Sequence, residues 1–559
     1  MSVTRRVWSY GVTFVALGLA AAGVGQLLSL LLGLGVHDRF ERSGFNQQQF
    51  SLGLAMLVIG APLWFFFWRS IQGRVRGNSV EIGSALRKLF LNLVLVGSAL
   101  AALSTANGLL AWLIAGAPSD MYSPGDLAAF IISAGIWFYH WRVSEKEGHP
   151  SGDARTLRRW YVYGLATFGV TRVAVSCGVL LSAALATIPA LKPAGFFAQP
   201  PFWRMAVQSA IAGIVVNGLA WYFHWFRMAK GDFDSTLRQV YFYLVTILTG
   251  AVAALVALGY TLERVVFRAF GGAPPARGSY WSFVTWTVPT IIVGLAIWTY
   301  HRWLVQREAP ERTERRLSAR RVHMYLITFL GLGALAAGVI VLLGLPIDAA
   351  VLGAGARTGW WRSQLSLGLA LLPVGAVLYA YWWVRISRWV RQGGLTEWRA
   401  ASRRIFLYAV VGIAIVTLAA DLVNIIYQFL NGVLQGHSGA SFLRNSKWSL
   451  QTLVPAALVL WYHWRVMRRE QRLGAETTAG HKMVTLLAGT GATELAARIE
   501  AKLGFKVRIL ARVGEAGAPV APSDEDIARL SEELQAAPGD RVMVLALEGR
   551  LSVVPYREI

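Results

Sequence analysis

Apolar positions in this chain come in long continuous runs. Val7–Leu32, Leu89–Ala115, Val322–Leu345 and Ile405–Phe429 each exceed the ~20 residues that cross a ~30 Å hydrocarbon core. A membrane barrel would instead alternate apolar and polar residues in segments of about ten. The runs predict helices, because lipid offers the backbone no hydrogen-bonding partner.

The runs are organised by a unit written six times, with a spacing of about 80 residues. That is longer than the ~20–50 residues of soluble solenoid repeats and fits a pair of spanning helices. Each unit opens on a basic pair, with an aromatic residue or Asn four residues on: Arg5-Arg6…Tyr10, Arg87-Lys88…Asn92, Arg158-Arg159…Tyr163, Arg238-Gln239…Tyr243, Arg320-Arg321…Tyr325 and Arg403-Arg404…Tyr408. Closing clusters of aromatic residues, His and Arg include Trp137–Arg142, Trp221–Arg227, Trp298–Trp303 and Trp461–Arg465. Two helices per unit give twelve expected spans, near 7–32, 50–68, 87–115, 126–143, 159–188, 205–226, 238–262, 281–303, 321–344, 363–384, 404–434 and 448–466. The repeats occupy about 4–76, 84–147, 155–230, 235–307, 318–391 and 400–472, within a membrane domain of 1–474. The first run is too long for a signal peptide and its pattern recurs, so it is expected to be retained.

After Gly474 the pattern changes. Residues 475–480 read as a linker and 481–559 as a soluble β-α-β-α-β-β domain, with Ser523 capping a helix that opens on acids. The expected fold class is therefore an all-α polytopic membrane bundle with a small C-terminal α/β domain.

Composition agrees: 55% of residues are hydrophobic, 15% are charged, and mean hydropathy is +0.47. The net charge of +24 raises nucleic acid as a partner, but its distribution points elsewhere. Lys and Arg concentrate between repeats and are sparse in the loops inside them. By the positive-inside rule both termini and the tail are expected in the cytoplasm. The expected partner is a bilayer with anionic headgroups, with no nucleic acid. The single cysteine, Cys177, excludes an intrachain disulfide and a thiolate metal site.

Candidate chemistry is sparse. His140, His224, His301 and His463 fall at equivalent repeat positions, where Phe67 and Trp382 stand in the first and fifth repeats. Helix-borne His is a haem ligand elsewhere. Their place at helix ends favours an interfacial belt of aromatic and His rings at the headgroups. Arg172 and Asp421 are charges expected at mid-membrane, where they are costly and tend to face protein or a wet cavity. They project from one face of equivalent helices in the third and sixth repeats, which predicts an ion pair between two halves of the chain. Gly489-Thr490-Gly491 lacks the third Gly and the Lys of phosphate-binding loops and reads as an ordinary turn.

The units Thr156–Tyr163, Thr236–Tyr243 and Ser318–Tyr325, with the closing aromatic-His-Trp clusters, resemble a family of bacterial multi-pass membrane proteins of unknown function, DUF5671. The resemblance implies tandem paired helices over about residues 4–470. It implies no activity, catalytic residue or cofactor. The expected function is a non-enzymatic scaffold or sensor of the bacterial inner membrane, whose tail meets a cytoplasmic protein. The alternatives are a transporter built on internal repeats and a haem-bearing electron carrier.

Overall fold

The computed structural model describes residues 3–34, 43–76, 78–149, 152–192, 200–233, 235–272, 279–308, 314–352, 359–398, 400–435, 439–479, 483–488, 492–503, 507–511, 523–537, 541–547 and 550–556. Among these, twelve long helices pair into six hairpins, one per repeat. They are α1 (Val3–Gly33) and α2 (Ser43–Val75), α3 (Ala85–Ile114) and α4 (Pro124–Glu147), α5 (Gly152–Ala186) and α6 (Pro200–Met228). They continue with α7 (Thr236–Ala269) and α8 (Val284–Arg307), α9 (Glu314–Leu352) and α10 (Trp361–Trp398), α11 (Ala401–Gln435) and α12 (Gly439–Ala479). Among the described residues, ten helices are long and apolar enough to cross a membrane. The other two are α4 and α12. The first closes on the polar Tyr139-His140-Trp141-Arg142 run, and the second carries Arg444, Lys447 and Gln451 in its opening turns. The last helix continues through Ala479, so most of the expected linker is helical.

By compactness the chain divides into two units, 1–386 with 420–455, and 387–419 with 456–559. This division falls inside α10, α11 and α12 and not at the expected linker.

In the first unit the hairpins close through glycines. A Cβ on Gly250 of α7 would stand 2.7 Å from the Gly294 carbonyl of α8, and one on Gly294 would stand 2.6 Å from the Gly250 carbonyl. Gly60 against Ala20 and Gly375 against Leu335 repeat this in the first and fifth hairpins. Small residues are the usual means of close helix approach in lipid, where packing and not water exclusion drives association. Successive hairpins then stack: α4 packs on α1, α6 on α3 and α8 on α5. Each of these three second helices thus lies against the first helix of its own repeat and that of the repeat before.

Among the described residues, two stretches of the long helices depart from α-geometry. Tyr222–Met228, the end of α6, and Tyr241–Leu248, inside α7, are π-helical. The first has a reason in the sequence. The third repeat carries an extra residue, Phe226, between its closing Trp and Arg, and a wider turn absorbs such an insertion.

In the second unit, residues 483–556 form a four-stranded sheet of order β2-β1-β3-β4, with β1 Met483–Ala488, β2 Arg508–Ala511, β3 Arg541–Leu547 and β4 Arg550–Pro555. The central β1 pairs in parallel with β2 and β3, and β4 returns antiparallel. Helices α13 (Ala492–Leu503) and α14 (Asp524–Ala536) make the crossovers that parallel strands require. Ser523 and Asp526 close a reciprocal capping box at α14. The Asp526 carboxyl is held below its usual range, first by its bonds from the Ser523 side chain and backbone. Val484, Leu486, Ile499, Leu530, Val542 and Val544 belong to one core drawn from these strands and helices and from Val507 just before β2.

A fragment of residues 481–559 is therefore expected to be soluble and to melt cooperatively, and Leu486→Ala should lower its stability by ~2–5 kcal/mol. Circular dichroism of the isolated fragment checks this. A non-cooperative melt of the unsubstituted fragment would contradict an independent core.

Candidate functional site

The basic pairs that open the repeats are tied to carboxylates. In the second repeat the Arg87 Nε donates to both carboxylate oxygens of Glu147, at 3.1 and 3.0 Å, and Lys88 Nζ reaches the same group at 3.0 Å. In the fourth, Arg238 grips Glu308 through Nε at 3.0 Å and Nη2 at 2.6 Å. In the sixth, Arg403 holds Glu470 through Nε at 3.2 Å. Arg87, Arg238 and Arg403 are all buried. The first and third repeats use the other member of the pair: Arg6 meets Glu81 at 2.9 Å, and Arg159 Nε meets both oxygens of Asp232 at 3.1 Å. There the Tyr four residues later in the motif also joins, Tyr10 donating to Glu81 at 3.2 Å and Tyr163 to Asp232 at 3.0 Å.

In each of these five repeats, then, the start of the first helix is clasped to a carboxylate beyond the closing aromatic cluster. Taking two charges out of water is costly, and two-point Arg–carboxylate contact is the geometry that offsets the cost. Aromatic faces assist: the Arg238 guanidinium lies 4.6 Å from the Trp225 ring centre and 5.5 Å from that of Phe242. The carboxylates had a sequence signal. Glu147, Glu308 and Glu470 follow the closing His by seven residues, two helical turns, and Asp232 follows by eight, the extra residue being Phe226.

The four closing histidines are not an outward-facing belt. His140, His224, His301 and His463 are all buried. Each Nδ1 meets the carbonyl four residues earlier, on Ile136, Ala220, Ile297 and Val459, at 2.8–2.9 Å. A carbonyl only accepts, so Nδ1 carries the proton and Nε2 is the acceptor. The Tyr161 hydroxyl donates to His224 Nε2 at 3.1 Å and accepts from the Trp137 indole at 2.9 Å. Tyr241 repeats this between His301, at 3.5 Å, and Trp221, at 3.0 Å. One hydroxyl thus joins the His of its own repeat to the Trp of the repeat before. These bonds occupy both ring nitrogens of His224 and His301, including the nitrogen an iron would need.

The second repeat has Phe90 where the third and fourth have Tyr161 and Tyr241. Both groups that such a hydroxyl would join are left over there: the buried Trp64 Nε1 and His140 Nε2 have no hydrogen-bond partner among the described residues. Phe90 itself packs against both Trp68 and His140, with ring centres 5.7 and 6.4 Å apart.

The expected pair of Arg172 and Asp421 is not formed. Arg172 stands exposed on α5, and Asp421 of α11 is buried and accepts from the Thr452 hydroxyl of α12 at 2.7 Å. Each helix sits against its own hairpin partner, and the carboxylate finds a hydroxyl across that hairpin. A separate pair, Lys447 with Asp348 at 2.6 Å, joins α12 to α9, with Gln364 of α10 donating to the same carboxylate oxygen at 2.6 Å. Among the described residues no group of three or more His, Cys, Asp or Glu is placed to hold a metal. Gly489-Thr490-Gly491 lies outside the described residues.

Among the described residues one histidine lies outside the helices. His149 follows Gly148, which ends α4 with a φ of +67°. Burial first, and the positive Arg158 and Lys88 second, hold its pKa down at about 4.

In comparison with known proteins, the family described as Domain of unknown function (DUF5671) matches residues 6–121, 123–200 and 321–446. No curated protein and no solved structure matches the chain.

Two outcomes are expected. Phe90→Tyr should place a hydroxyl between Trp64 and His140 and raise stability by ~1 kcal/mol, whereas Tyr241→Phe should strand Trp221 and His301 and cost ~1–3 kcal/mol. Thermal unfolding in detergent reads both, and a destabilising Phe90→Tyr would contradict the shared geometry. For His149 the folded pKa lies below the unfolded value of about 6.5, so the unfolded chain takes up the proton first as pH falls. Stability should decline from pH 6.5 toward pH 4, and His149→Asn should flatten that part of the profile.

Proposed function

The chain belongs to the DUF5671 family, a domain of unknown function, and from that premise we propose a non-enzymatic multi-pass protein of the bacterial inner membrane, a scaffold or sensor whose C-terminal domain meets a cytoplasmic partner. All twelve long helices span in this reading, and both termini face the cytoplasm. The observation that carries it is the use made of the repeats' polar groups. The Arg, carboxylate, His, Tyr and Trp side chains bond to one another within and between neighbouring hairpins. Chemistry of this kind holds helices in register.

The count of twelve is supported by α4 and α12. Each is the second helix of a hairpin closed by a buried clasp, Arg87 with Glu147 and Arg403 with Glu470. The orientation rests on the excess of Lys and Arg between repeats, on the side where the clasps lie. The role of the tail rests on its separate core, which needs nothing from the helices to bury its apolar residues. A transporter has one observation in its favour, the buried Asp421 within a long apolar helix.

Reporter fusions at Gly152, Gly394 and Ile559 are expected to read cytoplasmic, and one at Gly436 the opposite side. A proximity-labelling enzyme fused at Ile559 is expected to mark a restricted set of cytoplasmic proteins, and to lose that set when residues 481–559 are deleted from between it and the helices. An outward reading at Gly394 would defeat the topology, and indiscriminate labelling with or without the tail would defeat the partner role.

A further inference from the structure

The hairpin of α11 and α12 carries a polar set that the clasps do not use. Asp421 and Asn424 lie three residues apart on α11, and Ser449 and Thr452 lie three apart on α12, so each pair shares a helix face. The helices run antiparallel and the pairs meet crosswise. Thr452 Oγ lies 2.7 Å from an Asp421 carboxylate oxygen, and Asn424 Nδ2 donates to Ser449 Oγ at 3.0 Å. Asp421 is 7% exposed and Ser449 7%. Among the described residues no Lys, Arg or His pairs with Asp421. One turn further along the α12 stripe, Ser446 is fully buried and its hydroxyl has no partner among the described residues.

A buried carboxylate with only a hydroxyl for company is costly in a spanning hairpin. The Thr452 hydroxyl has one proton and three acceptors within reach, the most distant being the Ser449 carbonyl at 3.4 Å. Besides Asp421 it faces the Trp448 carbonyl at 2.8 Å, four residues back on its own helix. If the proton goes to Trp448, two oxygens bearing lone pairs face each other at 2.7 Å, an arrangement that a shared cation stabilises. Asn424 spends its amide N–H on Ser449 and keeps its carbonyl oxygen, and Ser449 keeps a lone pair.

We propose that Asp421, Asn424, Ser449 and Thr452 form an intramembrane site for a monovalent alkali cation, with Na⁺ as the probe. The donor set is all oxygen, which suits a hard cation and excludes a soft one. It carries a single negative charge, which a monovalent ion neutralises and a divalent ion would overcompensate. Binding would tie the middle of α11 to α12. The proposal rests on the placement of this hairpin in the membrane, but not on a scaffold or sensor role.

The test is the thermal midpoint of the purified full-length protein in detergent, in NaCl against choline chloride at equal ionic strength and fixed pH. A saturable rise of a few degrees with Na⁺ is expected. Asp421→Asn should abolish the dependence. Thr452→Val, which keeps the carboxylate and the shape, should shift the half-saturating Na⁺ concentration upward about tenfold or more, and it serves if the Asp421 variant does not fold. Equal midpoints in Na⁺, Li⁺, K⁺ and choline would overturn the proposal. So would a midpoint that follows pH alone, which would make the carboxyl a proton site. A Na⁺ dependence that survives both substitutions would place the ion elsewhere and also overturn it. The topology fusions test the membrane placement separately, so failure of either is distinguishable.

Discussion

A guanidinium held at the mouth of a helix hairpin by a carboxylate is the constraint on which this fold depends. Within the apolar helices nothing resembling the hydrophobic effect holds one helix against another, because lipid tails are as apolar as the side chains. Glycine contacts such as Gly250 with Gly294 allow close approach, but they do not choose among similar registers along a smooth helix. The clasps do. Arg87 with Glu147, or Arg238 with Glu308, meets at two points, and sliding either helix by a turn would leave a buried charge alone. The Trp–Tyr–His bonds then carry register from one hairpin to the next.

The clasps also divide the repeats into two kinds. The second, fourth and sixth repeats bury the first residue of the basic pair, as Arg87, Arg238 and Arg403. The first and third use the second residue, as Arg6 and Arg159, with a Tyr completing the carboxylate's bonding. Helix-to-helix packing follows one pattern over the first four repeats, so the difference lies in how the openings of neighbouring repeats share space. Repeats one and two, and three and four, read as two-repeat units in which the more exposed clasp of one lies beside the buried clasp of the next.

Most of the architecture was legible because it is written in continuous signals. Long apolar runs give the hairpins, and alternating segments after residue 480 give the small sheet. The clasp was not, although its parts were in view. Arg counted as a topology signal and the carboxylates entered no reading, and a charge that sits near a membrane surface looks the same whether it faces headgroups or a partner 60 to 75 residues away. The His positions were found, but their burial was not, because helix-end aromatics read as an interfacial belt until the packing of the next hairpin covers them. Asp421 was recognised as a buried charge and given the wrong partner. Helix-face periodicity says which residues share a face, but not which helix that face meets.

The long loop between the two halves of a clasp bears on how the chain is made. Arg238 leaves the ribosome 70 residues before Glu308, and at ~5–20 residues per second that is an interval of about 4–14 s. In the proposed topology the guanidinium then sits at the edge of the bilayer without its carboxylate, among headgroup phosphates that can hold it for the time being. The first helix of a repeat is then only provisionally placed until the second has threaded through. Biogenesis should advance in steps of two helices, and the headgroups act as a temporary chaperone for each arginine.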